Sequence, residues 1–377
     1  MSRLFESTSI NSVVLKNRFV RSATWEALAT EDGLTTDKLI AVSAQLARGG
    51  VGLIISGHAY VSREGQAGPW QLGAYSDECI PGLTKMAETV HAIGAKIALQ
   101  LAHAGSRGAS HLSGLEPIGP SVADTESGPM GREMTGADME AIRKAFASAA
   151  LRAQKAGFDA VQLHAAHGYL LSQFLSSFFN KRKDEYGGGI KKRSRFVVEV
   201  LKAVREAVGR AFPVFIKLNS EDFLPGGLTV DDMLQTSAIL EKTGIDTIEM
   251  SGGTFLSGKK NPSRRGKPGP GEPEAYYETA ARRYKEKIRI PLMLVGGIRT
   301  FETAEKLVTE GVIDYVAMSR PLIREPDLVS RWESGDKKPA SCLSDSRCFK
   351  PALEGQGVYC VVEADFKTAA GRVAPDV

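Results

Sequence analysis

The sequence GFDAVQLHAAHGYLLSQFLSSFFNKRKDEYGGGIKKRSRF (157–196) is the most informative part of the chain. It begins with a short apolar run, residues 158–163, whose length suits a buried strand rather than a helix. The run leads directly into His164, His167 and Tyr169, at the end of a strand where α/β folds place their chemistry. After a polar loop (180–189), the sequence predicts an amphipathic helix whose apolar face consists of Phe196, Val197, Val200, Leu201 and Val204.

Seven similar apolar runs occur in the rest of the chain, most of them followed by a helical pattern. Continuous apolar runs that alternate with helices are typical of a parallel sheet covered on both faces. Eight runs favour a closed (β/α)8 TIM barrel over an open doubly wound sheet. In chain order, the eight runs are 13–20, 51–56, 96–101, 158–163, 214–218, 246–250, 292–296 and 314–318.

The composition is that of a soluble globular protein, with 42% hydrophobic and 24% charged residues. The net charge of +4 is small for 377 residues, and no Lys/Arg run is long enough for a nucleic-acid face. The start, MSRLFESTSI, lacks the apolar core of a signal peptide, and no apolar stretch of about 18 residues exists. Four cysteines do not make a disulfide framework. We therefore expect a cytoplasmic protein without nucleic-acid or membrane partners.

Two long connections follow the ends of predicted strands, at the catalytic face of a barrel. They are residues 111–135, rich in Gly, Pro and Ser, and residues 254–277, which are basic and interrupted by prolines and glycines. Long loops in compact domains are usually functional lids or disordered, and their place at the catalytic face leads us to expect that both are lids. We predict one barrel domain (1–335) and a loop-rich tail (336–377) that packs on the barrel or on a neighbouring subunit of a homo-oligomer.

Histidines cluster at the predicted strand ends, which indicates a site. Four of the six (His58, His103, His164 and His167) lie at or just past the ends of the second, third and fourth strands. A metal is not expected. Metal-binding barrels need ligands on several strand ends, but the first strand offers no histidine and the fifth offers Lys217 and Asn219.

The strand ends carry a second set of residues that suits a phosphorylated, flat ligand. Glycines after the seventh strand (Gly296, Gly297) let backbone N–H groups approach a ligand, and Arg320 follows the eighth strand. Gln100 and Lys217 can donate hydrogen bonds to a flat heterocycle, which suits a flavin. The remaining members of this set are Ser22, Ala23, Thr24, Trp25, Gly57, the glycine pair 252–253 and Ser319.

The motifs resemble those of the Old Yellow Enzyme family of FMN-dependent NAD(P)H:flavin oxidoreductases and ene-reductases. The most specific are GFDAVQLHAAHGYLLSQFLS (157–176) and NKRKDEYGGG (180–189). The others are NRFVRSAT (17–24), GGVGLIISG (49–57), LQLAHAGSRG (99–108), REMT (132–135), VGGIRT (295–300) and YVAMSRPLIREPDL (315–328).

The resemblance implies a barrel with FMN across its carboxyl-terminal mouth and NADH or NADPH as the co-substrate. It implies that His164 and His167 bind the carbonyl of an α,β-unsaturated substrate and that Tyr169 donates the proton. By the same resemblance, the flavin ring would be held by Ala23, Thr24, Gly57 or His58, Gln100 and Lys217, and the phosphate by Gly297, Ser319 and Arg320.

The chain departs from the family pattern at three places. Lys217 replaces an arginine common at this position, and Ser319 replaces a glycine before Arg320. The dienoyl-CoA reductase branch has four cysteines near the tail. Here the tail offers Cys342, Cys348 and Cys360, with Asp345 where another cysteine is expected, so we predict no iron–sulfur cluster.

Three alternatives to an ene-reductase are left open by the sequence. They are a flavin dehydrogenase or demethylase of the amine type, a metal- or phosphate-dependent barrel enzyme without flavin, and a flavin-binding protein without turnover.

Overall fold

The computed structural model describes residues 2–125, 128–263, 265–266 and 274–369. Parts of three predicted features lie outside the described residues. They are positions 126–127 of the first predicted lid, positions 264 and 267–273 of the second, and positions 370–377 of the tail.

Eight parallel strands close into a barrel, as the sequence predicts. Each pairs with the next, for example Gln100 of the third strand with Gln162 of the fourth, and the eighth pairs with the first, so the sheet has no open edge. In chain order, the strands are Phe19–Arg21 (β1), Leu53–Ile55 (β2), Lys96–Ala102 (β3), Ala160–Ala165 (β4), Val214–Asn219 (β5), Thr247–Ser251 (β6), Leu292–Val295 (β7) and Tyr315–Met318 (β8). The short strand Ala59–Tyr60 also pairs with β3.

The first apolar run, 13–20, was predicted as one strand but contains two. Val13–Leu15 pairs with Thr8–Ile10 in an antiparallel hairpin, and β1 begins only at Phe19. The polar residues between them turn the chain, and the Asn17 side chain accepts from the Phe19 N–H and donates to the Gly50 carbonyl. The hairpin packs its apolar side chains into the barrel interior together with Val20 and Leu53.

Eight main helices cover the barrel. They are Asp37–Arg48 (α1), Ile80–Ala92 (α2), Gly136–Lys155 (α3), Arg195–Val208 (α4), Val230–Thr243 (α5), Glu278–Lys287 (α6), Phe301–Thr309 (α7) and Leu328–Glu333 (α8). The amphipathic helix predicted after the 180–189 loop is confirmed as α4, whose predicted apolar face is buried. A capping box between Thr135 and Asp138 starts α3, and Gly157 follows this helix with φ +81°.

The other α-helices among the described residues lie in the connections and in the tail. They are Ser110–Ser113, Leu170–Leu175, Ile190–Arg193, Arg320–Arg324, Lys350–Leu353 and Val361–Ala369. In the described part of the chain, no helix combines the length and the apolar character needed to cross a membrane.

The two connections predicted as lids are built differently. In the first, Ile118–Gly119 pairs with Arg132–Glu133, and Ala123–Thr125 pairs with Gly128–Met130. In the second, the described residues contain one short 3-10 turn, Gly258–Lys260, before helix α6.

The described part of the tail packs on the barrel of its own chain. Cys348, Ala352 and Val358 form a small apolar cluster with Ala27, a residue of the β1–α1 connection. The backbone N–H of Val358 donates to the Glu26 carbonyl over 3.0 Å. This contact places the tail beside the carboxyl end of β1.

Candidate active site

Most of the predicted site residues surround one cavity of about 760 Å³ at the carboxyl ends of the strands. This volume lies within the roughly 300–1,000 Å³ typical of small-molecule sites. The predicted residues in its wall are Ser22, Ala23, Thr24, Trp25, His58, Gln100, His164, His167, Tyr169, Lys217, Gly296, Gly297, Ser319 and Arg320. Gly57 lies behind the described wall, where a Cβ would come within 2.6 Å of the Thr24 carbonyl.

His164, His167 and Tyr169 form a compact group because the chain turns sharply after β4. His164 lies within the strand, His167 has a left-handed backbone (φ +63°), and Tyr169 precedes the helix Leu170–Leu175. The two imidazole rings lie 5.3 Å apart and perpendicular to each other, and the Tyr169 ring stacks on His164 at 4.4 Å. Three polar groups therefore face one region of the cavity.

His164 is a neutral hydrogen-bond donor. The backbone N–H of Ala166 donates to its Nδ1 over 3.3 Å, so the ring proton resides on Nε2. Burial holds the pKa of His164 well below 6.5, and the nearby His167, His58, Lys217 and Arg107 act in the same direction.

His167 is fixed by two contacts from neighbouring strands. Its Nε2 lies 2.7 Å from the Ser251 hydroxyl at the end of β6, and its backbone N–H donates to Asn219 Oδ1 at the end of β5. Burial holds the pKa of His167 well below 6.5, with Lys217 as the largest of the nearby charges. The ring is therefore neutral near pH 7 and is held at a set angle to His164.

Tyr169 is held between a histidine and an arginine. Its hydroxyl lies 3.2 Å from His58 Nε2, and the Arg107 guanidinium lies 5.8 Å from the centre of its ring. Burial raises the pKa of the phenol above 10.0, and the charge of Arg107 opposes this shift. Tyr169 is therefore protonated near pH 7 and can act as a proton donor.

A buried polar network lies beneath the cavity. Lys217 Nζ donates to Glu249 Oε1 (3.0 Å) and to the Ser22 hydroxyl (2.7 Å), and this hydroxyl donates to Glu249. Gln162 Nε2 donates to the other Glu249 oxygen over 2.8 Å, and Gln100 Nε2 donates to Gln162 Oε1 over 2.7 Å. Glu249 is fully buried and neutralises Lys217. These contacts fix Lys217 and Gln100, two residues predicted to contact a flavin.

The phosphate corner, which we define as Gly296, Gly297 and Arg320, is where the resemblance places a phosphate. Its two glycines have a backbone conformation that other residues rarely adopt. Gly296 and Gly297 have φ values of +127° and +82°, and a Cβ on Gly297 would lie 1.8 Å from the Glu274 carbonyl. Beyond them, the Ser319 hydroxyl lies 2.8 Å from Thr24 Oγ1, and Arg320 is a cationic part of the cavity wall. Backbone N–H groups and a guanidinium are the donors that phosphate groups prefer.

The residues present fit FMN. Trp25 borders the cavity, and its indole N–H is buried without a hydrogen-bond partner. A buried donor of this kind calls for an acceptor that the described residues do not supply. One end of the cavity has the glycine–arginine corner, and the other holds Gln100 and Lys217 above their buried network. The donor set therefore matches a ligand with a phosphate at one end and a polar heterocycle at the other.

Several cavity residues come from the tail and from the second predicted lid, and the sequence did not predict them. Arg320 Nη1 donates to the Ser344 carbonyl (3.3 Å) and the Ser346 hydroxyl (3.0 Å), so the tail orients the arginine of the phosphate corner. The others are Phe255, Asn261, Pro262, Ser263, Arg265, Tyr276, Tyr277, Phe349, Lys350 and Leu353. The basic composition of 254–277 was a usable signal for the lid, whereas nothing in the tail sequence pointed to the cavity. The described residues of 111–135 do not contribute to its wall.

Three cysteines of the tail meet at a second, much smaller hollow. Cys342, Asp345, Cys348 and Cys360 all border it. Within the described ranges, no three His, Cys, Asp or Glu side chains are arranged to hold a metal ion. The absence of an iron–sulfur cluster remains a prediction.

The sequence of this chain is similar to a protein-family model and to known oxidoreductases. The model of the NADH:flavin oxidoreductase / NADH oxidase family matches residues 3–338. An NADH oxidase from Thermoanaerobacter brockii is 36% identical over 347 residues, covering 90% of this chain and 52% of that protein. An NADPH dehydrogenase from Geobacillus sp. (strain WCH70) is 37% identical over 325 residues, covering 86% of this chain and 91% of that protein.

Two solved structures are also similar to this chain. A 2-naphthoyl-CoA reductase in complex with 2-naphthoyl-CoA has a TM-score of 0.87 at 28% identity, covering 96% of this chain and 56% of that one. The old yellow enzyme homologue from Zymomonas mobilis has a TM-score of 0.76 at 27% identity, covering 89% and 94% of the two chains. The chain thus spans about half the length of some relatives and most of the length of others.

The family match runs through the whole barrel, from residue 3 to the beginning of the tail. It confirms the predicted resemblance, and it confirms FMN as the cofactor that the cavity fits. The chain belongs to the NADH:flavin oxidoreductase / NADH oxidase family.

Proposed function

We propose that this protein uses NADH or NADPH to reduce the activated C=C bond of an α,β-unsaturated carbonyl compound. The observation that carries the proposal is the grouping of His164, His167 and Tyr169 on one side of the FMN cavity. FMN, when bound, supplies the hydride for such a reduction.

The two histidines would hold the carbonyl oxygen of the substrate. His164 offers its Nε2–H, and His167 stands perpendicular to it at 5.3 Å. Negative charge grows on the oxygen as the double bond is reduced, so donors fixed in advance favour the transition state. A well-placed donor of this kind contributes about 3–4 kcal/mol. Because both rings are neutral, this contribution does not require acidic conditions.

Tyr169 would supply the proton for the carbon next to the carbonyl. Its phenol is protonated near pH 7, and its ring is fixed by stacking on His164. General acid catalysis by such a group contributes about 100- to 10,000-fold. The names of two relatives, an NADH oxidase and an NADPH dehydrogenase, support the redox class.

Two anaerobic spectra test the proposed function. The oxidised flavin band of the purified protein should bleach with NADH or NADPH and return when an enone such as 2-cyclohexenone is added. Recovery with a quinone but not with any enone of a small panel would contradict ene-reduction. Bleaching by an amine instead of NAD(P)H would favour the amine dehydrogenase alternative.

A further inference from the structure

A hydrogen-bond chain runs from the loop after β2 to the hydroxyl of Tyr169. Its first member is Gln71, which is fully buried. The backbone N–H of Ala67 donates to Gln71 Oε1 over 2.7 Å, and Gln71 Nε2 donates to the His58 carbonyl over 3.1 Å. Reversing the amide would set donor against donor at Ala67 and acceptor against acceptor at His58. These two backbone contacts therefore fix which end of the amide carries the hydrogens.

The fixed amide sets the tautomer of His58. Gln71 Nε2 lies 2.7 Å from His58 Nδ1, and because an amide nitrogen only donates, Nδ1 must accept. The proton of the neutral ring then resides on Nε2, which lies 3.2 Å from the Tyr169 hydroxyl. The His58 Nε2–H therefore donates this hydrogen bond, and the Tyr169 oxygen accepts it.

The direction of this last bond matters for a proton donor. If Tyr169 donated its hydrogen to His58, that hydrogen would point away from the cavity. Because the phenol oxygen accepts, its own hydrogen is free for an acceptor in the cavity, whose wall includes Tyr169. When Tyr169 gives this proton to a substrate carbon, the negative oxygen that remains still accepts from His58 Nε2–H, until water returns a proton. Hydrogen bonds to charged groups are stronger than those between neutral ones.

Two further observations support the arrangement. Burial lowers the pKa of His58 to about 4, so the ring stays neutral and keeps a single, assigned proton. Trp70, directly before Gln71, has φ +50°, a left-handed conformation that is unfavourable for a bulky residue. The loop therefore holds Trp70, the residue before Gln71, in a backbone conformation that local preference alone would not select.

We infer that His58 and Gln71 are positioning residues that direct the proton of Tyr169 into the cavity. This inference deepens the proposed function and rests on Tyr169 acting as the proton donor there. It adds a role for His58 beyond the flavin contact implied by the resemblance, and a role for Gln71, which the sequence did not single out.

The tautomer is tested directly, without turnover. In the FMN-bound protein labelled with ¹⁵N-histidine, a long-range ¹H–¹⁵N spectrum at pH 7 should show His58 protonated on Nε2 only. The His58→Phe variant assigns the signal. In Gln71→Leu, the Nε2–H form should lose its exclusive population. A ring protonated on Nδ1 in the parent protein would overturn the inference, whatever substrate the enzyme uses.

A double-mutant cycle tests the route through Tyr169. We expect His58→Phe to slow the enone half-reaction about 10- to 100-fold relative to reduction of a quinone, which needs no proton on carbon, because a hydrogen bond to a charged group is lost. In the Tyr169→Phe background, the same change should have little further effect. An equal loss in both backgrounds would overturn the positioning role. No loss from Tyr169→Phe itself would instead contradict the proposed function.

The neighbouring Gln66 provides a matched control for Gln71. Both glutamines are buried in one loop, but the Gln66 side chain donates to the Gly68 carbonyl. Gln71→Leu should lower the enone-to-quinone ratio about 5-fold, the worth of an ordinary hydrogen bond. Gln66→Leu should leave this ratio within about 2-fold of the parent value. Equal ratios in the two variants would argue against the chain of bonds.

Discussion

His58, His164 and His167 stand within one cavity wall, and each is more easily protonated in the unfolded chain than in the folded protein. Burial is the largest cause for all three, and the positive charges of Lys217 and Arg107 add to it. A site that binds a carbonyl oxygen through neutral imidazoles needs rings that resist protonation, and burial together with nearby positive charges has this effect. A fixed N–H donor must keep the same tautomer over the working pH range.

The same shifts predict how stability depends on pH. Between pH 6.5 and the lowered pKa of each ring, the unfolded chain binds a proton that the folded protein does not. Stability is therefore full above pH 6.5 and is lost as the pH falls. We expect each histidine to remove roughly 1 kcal/mol from the free energy of unfolding between pH 6.5 and about 5.5.

Urea denaturation at these two pH values measures the effect. The His58→Phe variant is the comparison, since it lacks one of the three groups and should lose about 1 kcal/mol less than the parent protein over this interval. An identical loss in the two proteins would show that His58 is not buried in its neutral form.

The amino-terminal hairpin closes one end of the barrel. Its strands, Thr8–Ile10 and Val13–Leu15, place alternate side chains among the interior residues of the barrel. Leu15 is fully buried, whereas the adjacent Val14 is 61% exposed. The two neighbours thus provide a matched pair for testing whether the hairpin belongs to the core.

Replacing Leu15 with Ala should lower the free energy of unfolding by about 2–5 kcal/mol, because a buried cavity remains. Val14→Ala should change it by less than about 0.5 kcal/mol. Chemical denaturation of both variants is the measurement. Similar losses in the two variants would contradict the packing of this hairpin inside the barrel.

The hairpin also shows which part of the fold the sequence could predict. Eight apolar runs were enough for the barrel, because strands covered on both faces are continuously apolar. The prediction of one strand for the run 13–20 was wrong. The interruption depends on the Asn17 side chain, which donates to the carbonyl of the distant Gly50 and accepts from the Phe19 N–H. Apolar pattern locates strands, but tertiary hydrogen bonds decide where they are interrupted.

Closure of the barrel explains why much of the cavity wall could be predicted from the sequence. Residues at the ends of parallel strands must meet at one face, so His164, Lys217 and Arg320 were placed together without a structure. Gln71 and the tail residues Ser344 and Ser346 were not found. They reach the site through loops whose paths depend on contacts far apart in sequence, such as Val358 with Glu26.

For the tail, we predict that no iron–sulfur cluster forms. Asp345 stands where another thiolate ligand is expected, so the tail offers only Cys342, Cys348 and Cys360. A cluster that needs four thiolates should therefore not form. Protein purified without oxygen should contain iron and acid-labile sulfide far below one cluster per chain. Stoichiometric amounts of both would contradict this prediction and give the tail an electron-transfer role.

In the proposed mechanism, the His164–His167 pair and Tyr169 act together on an unsaturated carbonyl substrate. The Tyr169→Phe variant keeps the ring that stacks on His164 and removes only the hydroxyl. The companion variant, His167→Ala, removes one oxygen-directed donor and should slow the enone half-reaction about 100-fold or more. A quinone, which needs no proton on carbon, is the control acceptor.

Anaerobic stopped flow of the reduced Tyr169→Phe protein with an enone is the most direct measurement. Loss of the proton donor should slow flavin reoxidation about 100- to 10,000-fold relative to the parent protein. Reduction by NAD(P)H and binding of phenolic ligands should change little. A reoxidation rate equal to that of the parent protein would show that Tyr169 is not the proton donor and would contradict the proposed mechanism.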